Sequence, residues 1–483
     1  MRVLFTASEA YPFIKTGGLA DVACSLPQAL HEAGVDVRLV LPAYSDIMLT
    51  ITEVENVGSF EVIGKGVKHE ATLLRAVHKE TRGVVYLIDV PRLYNRPGNP
   101  YMDPEGAPYA DNMERFTVFS RGVAILSEGF PGDDWKPDIV HCNDWQTALV
   151  PAFISENKDP AKTVYTIHNM AYDGCYSYYD FQQLSLPYHW WTSGDLEFHG
   201  EMSMMKAGII YADRVNTVSP TYAKEIMTEA FGYRYYGLLQ HHADKVSGIL
   251  NGIDDTVWNP RVDPFIKVRY STSRNRIEAK ADNKRDLLEK AGLSDSDAPL
   301  IGFIGRLVEQ KGVDLMLETM PAVFDKTDAR YVIIGSGEAQ YETALLDMAD
   351  RYPDRVSVFI GYSEEFAHQI EAGCDMFMMP SKFEPCGLNQ MYSLRYGTPP
   401  IVNWTGGLAD TVVDTNLETL RDITANGFVF HDADPTGLLE ATLTATQWYE
   451  RKRLWQQICR TGMQADFGWD GSAQAYIELY ENI

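Results

Sequence analysis

A six-residue segment that contains two glycines occurs twice in the chain. Residues 16–21 and 405–410 both read Thr-Gly-Gly-Leu-Ala-Asp. Glycine lets a backbone approach a ligand closely, and the free N–H groups at the start of a helix bind anions. Each copy follows a predicted strand and begins a predicted helix, which favours an anion site over two tight turns without a ligand. The glycines concerned are Gly17, Gly18, Gly406 and Gly407.

Three basic residues stand beside these turns or just after a predicted strand. Lys15 precedes the first glycine pair, and Arg306 and Lys311 follow a predicted buried strand. An ammonium or guanidinium group in such a place can bind a phosphate or stabilise charge on a leaving group. We expect Arg306 and Lys311 to neutralise a diphosphate without a metal; the alternative is that these two pair with Glu309 or Asp314 on a surface helix. For Lys15 the alternative is a solvated surface residue, but its place beside the glycine pair favours a functional role.

Residues 380–390, Pro-Ser-Lys-Phe-Glu-Pro-Cys-Gly-Leu-Asn-Gln, place a carboxylate at the end of another predicted strand. Glu384 lies in a turn bounded by prolines. Cys386, Gly387 and Leu388 are predicted to begin a helix whose free amides hold sugar hydroxyls or phosphate. A carboxylate at a helix start can also be only a favourable cap, worth about 0.3–1 kcal/mol. The neighbouring lysine, prolines and glycine favour a functional carboxylate here.

Two more polar segments follow predicted strands in the first half of the chain. They are residues 140–145, Val-His-Cys-Asn-Asp-Trp, and residues 165–169, Tyr-Thr-Ile-His-Asn. Asp144 and His168 are suited to holding sugar hydroxyls or to shielding an oxocarbenium-like centre. A histidine at a strand end is more often structural, so the pair alone only suggests this role.

The elements that would position these residues follow the pattern of a parallel α/β sheet. Residues 3–8, 19–33 and 35–41 predict a strand, a helix that ends at Gly34 and a second strand, which together make a βαβ unit. Further strands of the first half are predicted at residues 84–89, 139–141, 163–168 and 215–218. This half is therefore expected to be doubly wound.

The same pattern restarts after residue 298. Strands are predicted at residues 299–305, 331–335, 356–361, 376–380 and 400–403. Asp282 is the predicted N-cap of a helix over residues 283–291 that ends at Gly292. The turn-rich residues 247–255 are the expected hinge. We therefore predict two Rossmann-like domains facing each other across a cleft, with ligands beyond the carboxyl ends of their strands.

Composition and charge exclude several classes of protein. The chain has 483 residues, of which 45% are hydrophobic and 23% charged, as is typical of a globular protein with two or three domains. Its formal net charge of −25 and its lack of a Lys/Arg cluster disfavour a nucleic-acid partner. There is no membrane-length apolar run and no signal-peptide pattern, so we expect a cytoplasmic protein without a membrane partner.

Several common catalytic and metal-binding motifs are missing. The six cysteines lack CxxC spacing, which argues against a disulfide framework and a zinc site. The chain contains no GxSxG, GxxxxGK[ST], GxGxxG or HExxH motif. The sequence therefore predicts neither a metal nor another cofactor.

Taken together, these motifs resemble the bacterial glycogen synthases, ADP-glucose-dependent glycosyltransferases related to plant starch synthases. The resemblance covers nearly the whole chain and is carried by residues 15–22, 141–145, 165–169, 305–307, 310–312, 360–362, 383–388 and 405–410. It implies the GT-B fold, with an acceptor domain of residues 1–247 plus 463–483, a donor domain of residues 248–462, and a return helix at about residues 472–480. The transit peptide of the plant enzymes is not seen, which favours the bacterial type.

The resemblance also implies the reaction and the site. The expected reaction transfers glucose from ADP-glucose to the non-reducing end of an α-1,4-glucan, with retention of anomeric configuration and no metal. Arg306 and Lys311 would hold the diphosphate, and Lys15 with the amides of Gly17 and Gly18 would meet it from the other domain.

The rest of the expected site surrounds the donor. Glu384, with His168 and Asp144, would position the donor glucose and stabilise its developing positive charge. The remaining donor-binding residues are Tyr362 near the adenine, Cys386, Gly387 and Leu388 at the helix start, and Gly406 and Gly407 against the phosphates.

Two positions depart from the pattern of related proteins. Asn143 stands where family members often have a second histidine, so the role of this position is open. Tyr392, eight residues after Glu384, stands where the wider class of retaining transferases often has a second glutamate. Double displacement needs a nucleophile beside the acid. The absence of a second carboxylate that could act as this nucleophile favours a front-face transfer, in which the leaving phosphate takes the proton of the acceptor hydroxyl.

Other interpretations remain open at this stage. A related transferase using UDP-glucose or another acceptor would have the same motifs, because an aromatic ring does not separate adenine from uracil. A non-catalytic sugar-binding protein of the receptor type would normally need export and has no use for the three cations. The aromatic segments 176–179, 188–191 and 233–236 are candidate glucan contacts, although ordinary packing is favoured for them.

Overall fold

The protein forms two compact units. A computed structural model describes residues 1–51, 53–77, 85–272 and 278–483. The N-terminal unit comprises Met1–Gly252 and Trp469–Ile483, and the C-terminal unit comprises Ile253–Gly468. The boundaries expected from the sequence, after residues 247 and 462, lie a few residues before these.

The described residues contain eighteen strands in three sheets. The strands are β1 (Arg2–Thr6), β2 (Asp36–Pro42), β3 (Glu53–Gly64), β4 (Val67–Val77), β5 (Val85–Asp89), β6 (Ile139–Asn143), β7 (Lys162–Ile167), β8 (Cys175–Ser177), β9 (Glu197–Phe198), β10 (Glu201–Ser203), β11 (Arg214–Thr217), β12 (Val246–Gly248), β13 (Leu300–Ile304), β14 (Arg330–Gly335), β15 (Val356–Ile360), β16 (Met376–Met379), β17 (Pro400–Asn403) and β18 (Phe428–Phe430).

The α-helices connect these strands. They are α1 (Gly18–Glu32), α2 (Ser45–Thr50), α3 (Pro91–Tyr94), α4 (Asn112–Leu126), α5 (Val150–Ser155), α6 (Tyr178–Gln183), α7 (Tyr188–Thr192), α8 (Met204–Tyr211), α9 (Pro220–Glu225), α10 (Tyr236–His241), α11 (Lys280–Lys290), α12 (Val313–Lys326), α13 (Ala339–Arg351), α14 (Glu364–Gly373), α15 (Asn389–Arg395), α16 (Gly406–Thr411), α17 (Leu417–Arg421), α18 (Pro435–Tyr449), α19 (Lys452–Gln464) and α20 (Trp469–Glu481). None of the helices in the described ranges is long and apolar enough to cross a membrane.

The main sheet of the N-terminal unit has the order β12-β11-β7-β6-β1-β2-β5-β4-β3 in the described residues. All strands from β12 to β5 pair in parallel, as their buried apolar sequences predict. The order reverses at β1, which has β2 on one side and β6 on the other. Residues that follow β1 and β6 therefore lie at the switch point, where ligands of such sheets bind.

The sequence prediction missed the edge of this sheet. β3 and β4 form a long antiparallel hairpin that continues the sheet beyond β5, and the first half of β3 is exposed and polar. The exposed start of β3 lacks the apolar signal that identified the other strands, whereas β4 buries Ala71, Leu73 and Ala76, a pattern that the prediction overlooked. The small sheet β8-β10-β9 was also missed, because its strands have only two or three residues. Val84, expected to begin β5, lies outside the described residues.

The sheet of the C-terminal unit has the order β15-β14-β13-β16-β17-β18 and is parallel throughout the described residues. Alternate residues of its strands enter two different cores. Ile301 and Phe303 pack in the cluster that includes α12 and α18, whereas Leu300 packs in the cluster that includes α11 and α14. Helices therefore cover both faces, and the predicted doubly wound domain is confirmed. The switch point of this sheet lies between β13 and β16.

The predicted N-cap at Asp282 was wrong. Helix α11 begins at Lys280, and Asp282 lies in its first turn, where its carboxylate pairs with Arg285. The buried ammonium group of Lys280 donates to the carbonyl oxygens of Glu371 and Ala372, at 3.0 and 2.8 Å. These contacts with the core fix the start of α11 at an earlier residue than the local sequence predicts.

Candidate active site

In the C-terminal unit, loops from the two strands at the switch point meet through an ion pair. Lys311 follows β13 and Glu384 follows β16. The Lys311 Nζ atom lies 2.5 Å from Glu384 Oε2, which also accepts a hydrogen bond of 3.0 Å from Ser381 Oγ. Glu384 is only 6% exposed. The carboxylate is therefore held in one place by two donors.

The other basic residues of these loops, Arg306 and Lys382, contact different side chains. Arg306 is exposed and donates to Gln310 Oε1 at 3.2 Å. Glu309 and Asp314, the acids considered as partners of Lys311, lie 2.7 Å from the ammonium group of Lys382 instead. The alternative that Lys311 belongs to a solvated helix pair was therefore wrong.

The two glycines of the second repeat pack against the protein's own backbone. Gly406 and Gly407 are buried at the start of α16. A Cβ atom at Gly406 would lie 1.9 Å from the carbonyl oxygen of Glu384, and one at Gly407 would lie 2.0 Å from that of Cys386. Gly406 also has a positive φ of 44°. Glycine is needed here so that this turn can pack against the turn that carries Glu384. Whether the pair also meets phosphate stays a prediction.

The expected helix start at Cys386 is three residues early. Helix α15 begins at Asn389, and Leu388 is its N-cap. Gly387 has a φ of 73° and therefore cannot continue a helix towards Cys386. The Gln390 side chain closes this turn by donating to the carbonyl oxygens of Cys386 and Gly387, both at 3.0 Å.

Tyr362, the expected neighbour of the adenine, follows β15 and is 72% exposed. Its hydroxyl donates to the carboxylate of Glu364, the first residue of α14. The Glu364 carboxylate also lies 3.7 Å from His368 Nε2. Burial disfavours the His368 imidazolium, but the hydrogen bond to Asp263 and the nearby Glu364 carboxylate outweigh this effect and raise the pKa of His368 to about 9.

Tyr392, the departure from the wider class, has a packing role. Its ring stacks on Trp258 with centroids 4.0 Å apart and an interplanar angle of 12°. The other face of Trp258 stacks on His368 at 3.8 Å and 10°. Tyr392 therefore lies in an aromatic stack that joins α14 and α15 to the segment after Gly252.

The first repeat, in the N-terminal unit, differs from the second. Gly17 and Gly18 are exposed at the start of α1. A Cβ atom at Gly18 would have no heavy atom within 4 Å, and one at Gly17 would make only an ordinary contact of 3.7 Å with Glu9. Neither glycine has a positive φ. Internal packing thus does not require these glycines, and the space beside them is open.

Lys15, beside this turn, forms an ion pair with Asp21 at 2.8 Å. Lys311 is likewise paired, with Glu384. Both ammonium groups thus have a carboxylate partner within their own unit. Whether they also bind a phosphate stays a prediction.

Glu9 is a buried acid beside the first glycine turn that the sequence prediction missed. It is 3% exposed, and its Oε2 atom accepts hydrogen bonds of 2.6 Å from both the N–H and the hydroxyl of Thr16. Desolvation raises its pKa to about 7, although the bonds from Thr16 act in the opposite direction. An acid directly after the strand predicted at residues 3–8 was the available signal. Glu9 holds the first glycine turn in place.

Asp144 and His168, suggested from two separate segments, lie together. The backbone N–H of His168 donates to Asp144 Oδ1 at 2.7 Å. Desolvation raises the pKa of Asp144 to about 7 and lowers that of His168 to about 3. His168 is therefore a neutral imidazole at physiological pH. Its Nε2 atom lies 2.9 Å from Oδ1 of Asn143, a partner that the sequence did not reveal.

The other histidine of this region is structural. His141 is fully buried, and its two ring nitrogens bond to Thr166 Oγ1 and to the hydroxyl of Tyr480, each at 2.7 Å. Tyr480 belongs to α20, the helix expected at residues 472–480, which is part of the N-terminal unit.

The aromatic segments divide between packing and surface. Trp190 and Tyr235 are fully buried, which agrees with the favoured packing role. Tyr179 and Tyr188 are 69% and 62% exposed. In the part of the chain that the structure describes, no group of three or more His, Cys, Asp or Glu residues could hold a metal ion.

Comparisons with known proteins agree along the whole chain. Residues 2–241 match the family model of the starch synthase catalytic domain, and residues 284–455 match that of glycosyl transferases group 1. A glycogen synthase of Hydrogenovibrio crunogenus is 46% identical over 488 residues, covering 100% of this chain and 99% of that protein. One of Cellvibrio japonicus is 47% identical over 484 residues, with the same coverage. The solved catalytic domain of starch synthase IV from Arabidopsis thaliana, bound to ADP and acarbose, is similar with a TM-score of 0.88 and 32% identity, covering 99% of this chain and 98% of that one.

Proposed function

The chain belongs to the glycogen and starch synthase family of glycosyltransferases and has the GT-B fold, and from this premise we propose how it transfers glucose from ADP-glucose to a growing glucan. Family membership sets aside the non-catalytic sugar-binding protein, because these relatives are enzymes. The similar starch synthase was solved with ADP, which supports the adenine nucleotide over the uridine one. The acceptor in this proposal is the non-reducing end of an α-1,4-glucan.

The observation that carries the proposal is the ion pair between Lys311 and Glu384 at the switch point of the C-terminal sheet. This pair holds a carboxylate and an ammonium group 2.5 Å apart. Arg306, with its guanidinium group, lies in the same loop after β13 as Lys311. In a nucleotide sugar, the negatively charged diphosphate needs cations beside it. The anomeric carbon of the sugar becomes positive as its bond to the diphosphate breaks. Both signs of charge are present within one pair of loops.

The residues of the C-terminal unit take the following roles. Arg306 and Lys311 hold the diphosphate and stabilise the negative charge that grows as it leaves. Glu384 positions the glucose and stabilises the positive charge at its anomeric carbon. Tyr362 is exposed enough to stack on the nucleobase, and the turn at Cys386–Leu388 offers backbone N–H groups to the donor.

The N-terminal unit contributes through its own switch point. Lys15 and the amides of Gly17 and Gly18 bind a phosphate oxygen, since a turn with open space and a helix start suits an anion. Asp144 and His168 hold hydroxyl groups of the donor sugar. The neutral imidazole of His168 has one nitrogen that can accept a hydrogen bond from such a hydroxyl.

The proposed transfer takes place on one face of the sugar. The bond between the anomeric carbon and the leaving phosphate oxygen breaks, and the acceptor hydroxyl forms a new bond to the same face. Its proton passes to the leaving diphosphate, so no side chain has to act as a base. This step keeps the anomeric configuration and needs no metal, because cationic side chains neutralise the diphosphate.

The proposal is tested by incubating the protein with glycogen and radiolabelled ADP-glucose or UDP-glucose, with and without EDTA. We expect label in precipitated glucan from ADP-glucose, unchanged by EDTA and released by an exo-acting amylase that removes only non-reducing ends. More label from UDP-glucose would favour the alternative donor. Loss of transfer in EDTA would contradict the metal-free mechanism.

A further inference from the structure

Asn143 stands between two strand ends and connects them to His168. It is the last residue of β6 and is fully buried. Its Nδ2 atom donates to the carbonyl oxygen of Thr6, the last residue of β1, at 3.0 Å. Its Oδ1 atom lies 2.9 Å from His168 Nε2. We propose that Asn143 is a positioning residue that holds His168 in the tautomer with hydrogen on Nε2 and a lone pair on Nδ1, ready to accept a hydrogen bond from a donor-sugar hydroxyl.

The orientation of the amide follows from its two partners. A carbonyl oxygen has no hydrogen to give, so the group that faces Thr6 must be the Asn143 nitrogen. The amide oxygen then faces His168 and can only accept. The hydrogen of this bond must therefore come from Nε2 of the imidazole.

The protonation of the ring completes the argument. Desolvation lowers the pKa of His168 to about 3, so the ring carries one hydrogen at physiological pH. Since that hydrogen is on Nε2, Nδ1 has the lone pair. A sugar hydroxyl can donate to this nitrogen, whereas in the opposite tautomer Nδ1 would carry an N–H and could only donate.

A second contact fixes where the ring is placed. The backbone N–H of His168 is bound to Asp144, the residue directly after Asn143. Two consecutive residues at the end of β6 thus anchor both the backbone and the ring of His168. His141 shows what a purely structural histidine looks like here, because both of its nitrogens are already occupied.

The inference rests on the proposed function for the sugar contact, but its physical core can be measured without activity. Protein labelled with ¹⁵N-histidine distinguishes a protonated ring nitrogen from one with a lone pair by NMR, and His168→Gln identifies the His168 signals. In the wild type we expect a protonated Nε2 and an unprotonated Nδ1, unchanged between about pH 5 and 9, well above the lowered pKa of this group. A protonated Nδ1 would overturn the proposal.

Two substitutions then test the role of Asn143. Asn143→Leu removes both hydrogen bonds at similar volume and should allow the other tautomer, with KM for ADP-glucose raised about 10-fold, the scale of one lost hydrogen bond. Asn143→Asp keeps the shape but adds a negative charge, which should raise the pKa of His168 by about 1–3 units. An acid limb should then appear in the pH profile and in the ¹⁵N titration.

The matched control is Thr166→Val, which removes a partner of His141 and leaves Asn143 in place. It should change the His141 signals but not those of His168 or the KM for ADP-glucose. If Asn143→Leu keeps the wild-type tautomer and KM, the positioning role is refuted. If Asn143→Leu does not fold, the wild-type spectrum still tests the tautomer of His168, and the pH profile of Asn143→Asp still tests the contact between Asn143 and His168. A wild type that transfers glucose from no donor would refute the proposed function while leaving the tautomer measurement valid.

Discussion

The two identical glycine turns allow one substitution to be made in two different surroundings, as Gly18→Ala and Gly407→Ala. At Gly18 a methyl group would have no heavy atom within 4 Å. At Gly407 it would lie 2.0 Å from the carbonyl oxygen of Cys386 and 2.6 Å from its carbonyl carbon. Those are backbone atoms of the turn that carries Glu384, so they can move only if that turn is displaced.

The effects on stability should therefore be opposite. Alanine is the better helix former, so Gly18→Ala should leave the free energy of unfolding unchanged or raise it by up to about 1 kcal/mol. Gly407→Ala should lower it by about 3 kcal/mol or more, the upper range for overpacking. For a domain of this size each kcal/mol moves the unfolding midpoint by about 2–4 °C, so a decrease of about 6–12 °C is expected.

The effect on function distinguishes a ligand site from a simple turn. If an amide at Gly18 binds a phosphate, a methyl group in that space removes one charge-assisted hydrogen bond, worth about 1.5–3 kcal/mol. KM for ADP-glucose should then rise roughly 10- to 150-fold. The assays are calorimetric unfolding and initial rates at saturating glycogen. A Gly18→Ala protein with wild-type KM and kcat would refute the anion-binding role, and a Gly407→Ala protein with the wild-type midpoint would refute the steric argument.

Three other expected outcomes concern single side chains. Glu384→Gln should lower kcat at least about 100-fold, the scale of one lost electrostatic contact of roughly 3 kcal/mol, and near-normal turnover would exclude its assigned role. Arg306→Ala should weaken inhibition by ADP as well as transfer, so unchanged ADP inhibition would place the diphosphate elsewhere. Burial raises the pKa of Glu371 from 4.5 to about 8, so the folded state keeps a proton that the unfolded state has lost, and stability falls as pH rises across that range. Glu371→Gln should therefore gain stability over the wild type between pH 5 and 8 in thermal unfolding, and a constant difference would contradict the raised pKa.

Much of the fold was predictable because buried parallel strands are apolar throughout. The strands β13 to β17 were all predicted within a residue or two of their observed bounds. The edge strand β3 was missed for the opposite reason, since its first half is exposed and polar. The start of α11 was misplaced because contacts of Lys280 with distant residues determine it.

The sequence by itself determined which residues are candidates for the chemistry. Lys15, Arg306, Lys311 and Glu384 were identified from residue type and from their place after a strand, and the family follows from their joint pattern. These signals are local, since each depends on a few neighbouring letters and on the tendency of ligands to bind at strand ends.

Only the tertiary structure decided what these residues contact. Lys311 and Glu384 are 73 positions apart and meet because β13 and β16 are neighbours in the sheet, which no local pattern states. Identical glycine pairs have different surroundings, because one faces backbone and the other faces open space. The tautomer of His168 likewise depends on an amide whose own orientation is set by a third strand. In each case the physical reason is the same: a hydrogen bond or a steric contact depends on what lies opposite, and the order of the strands determines that.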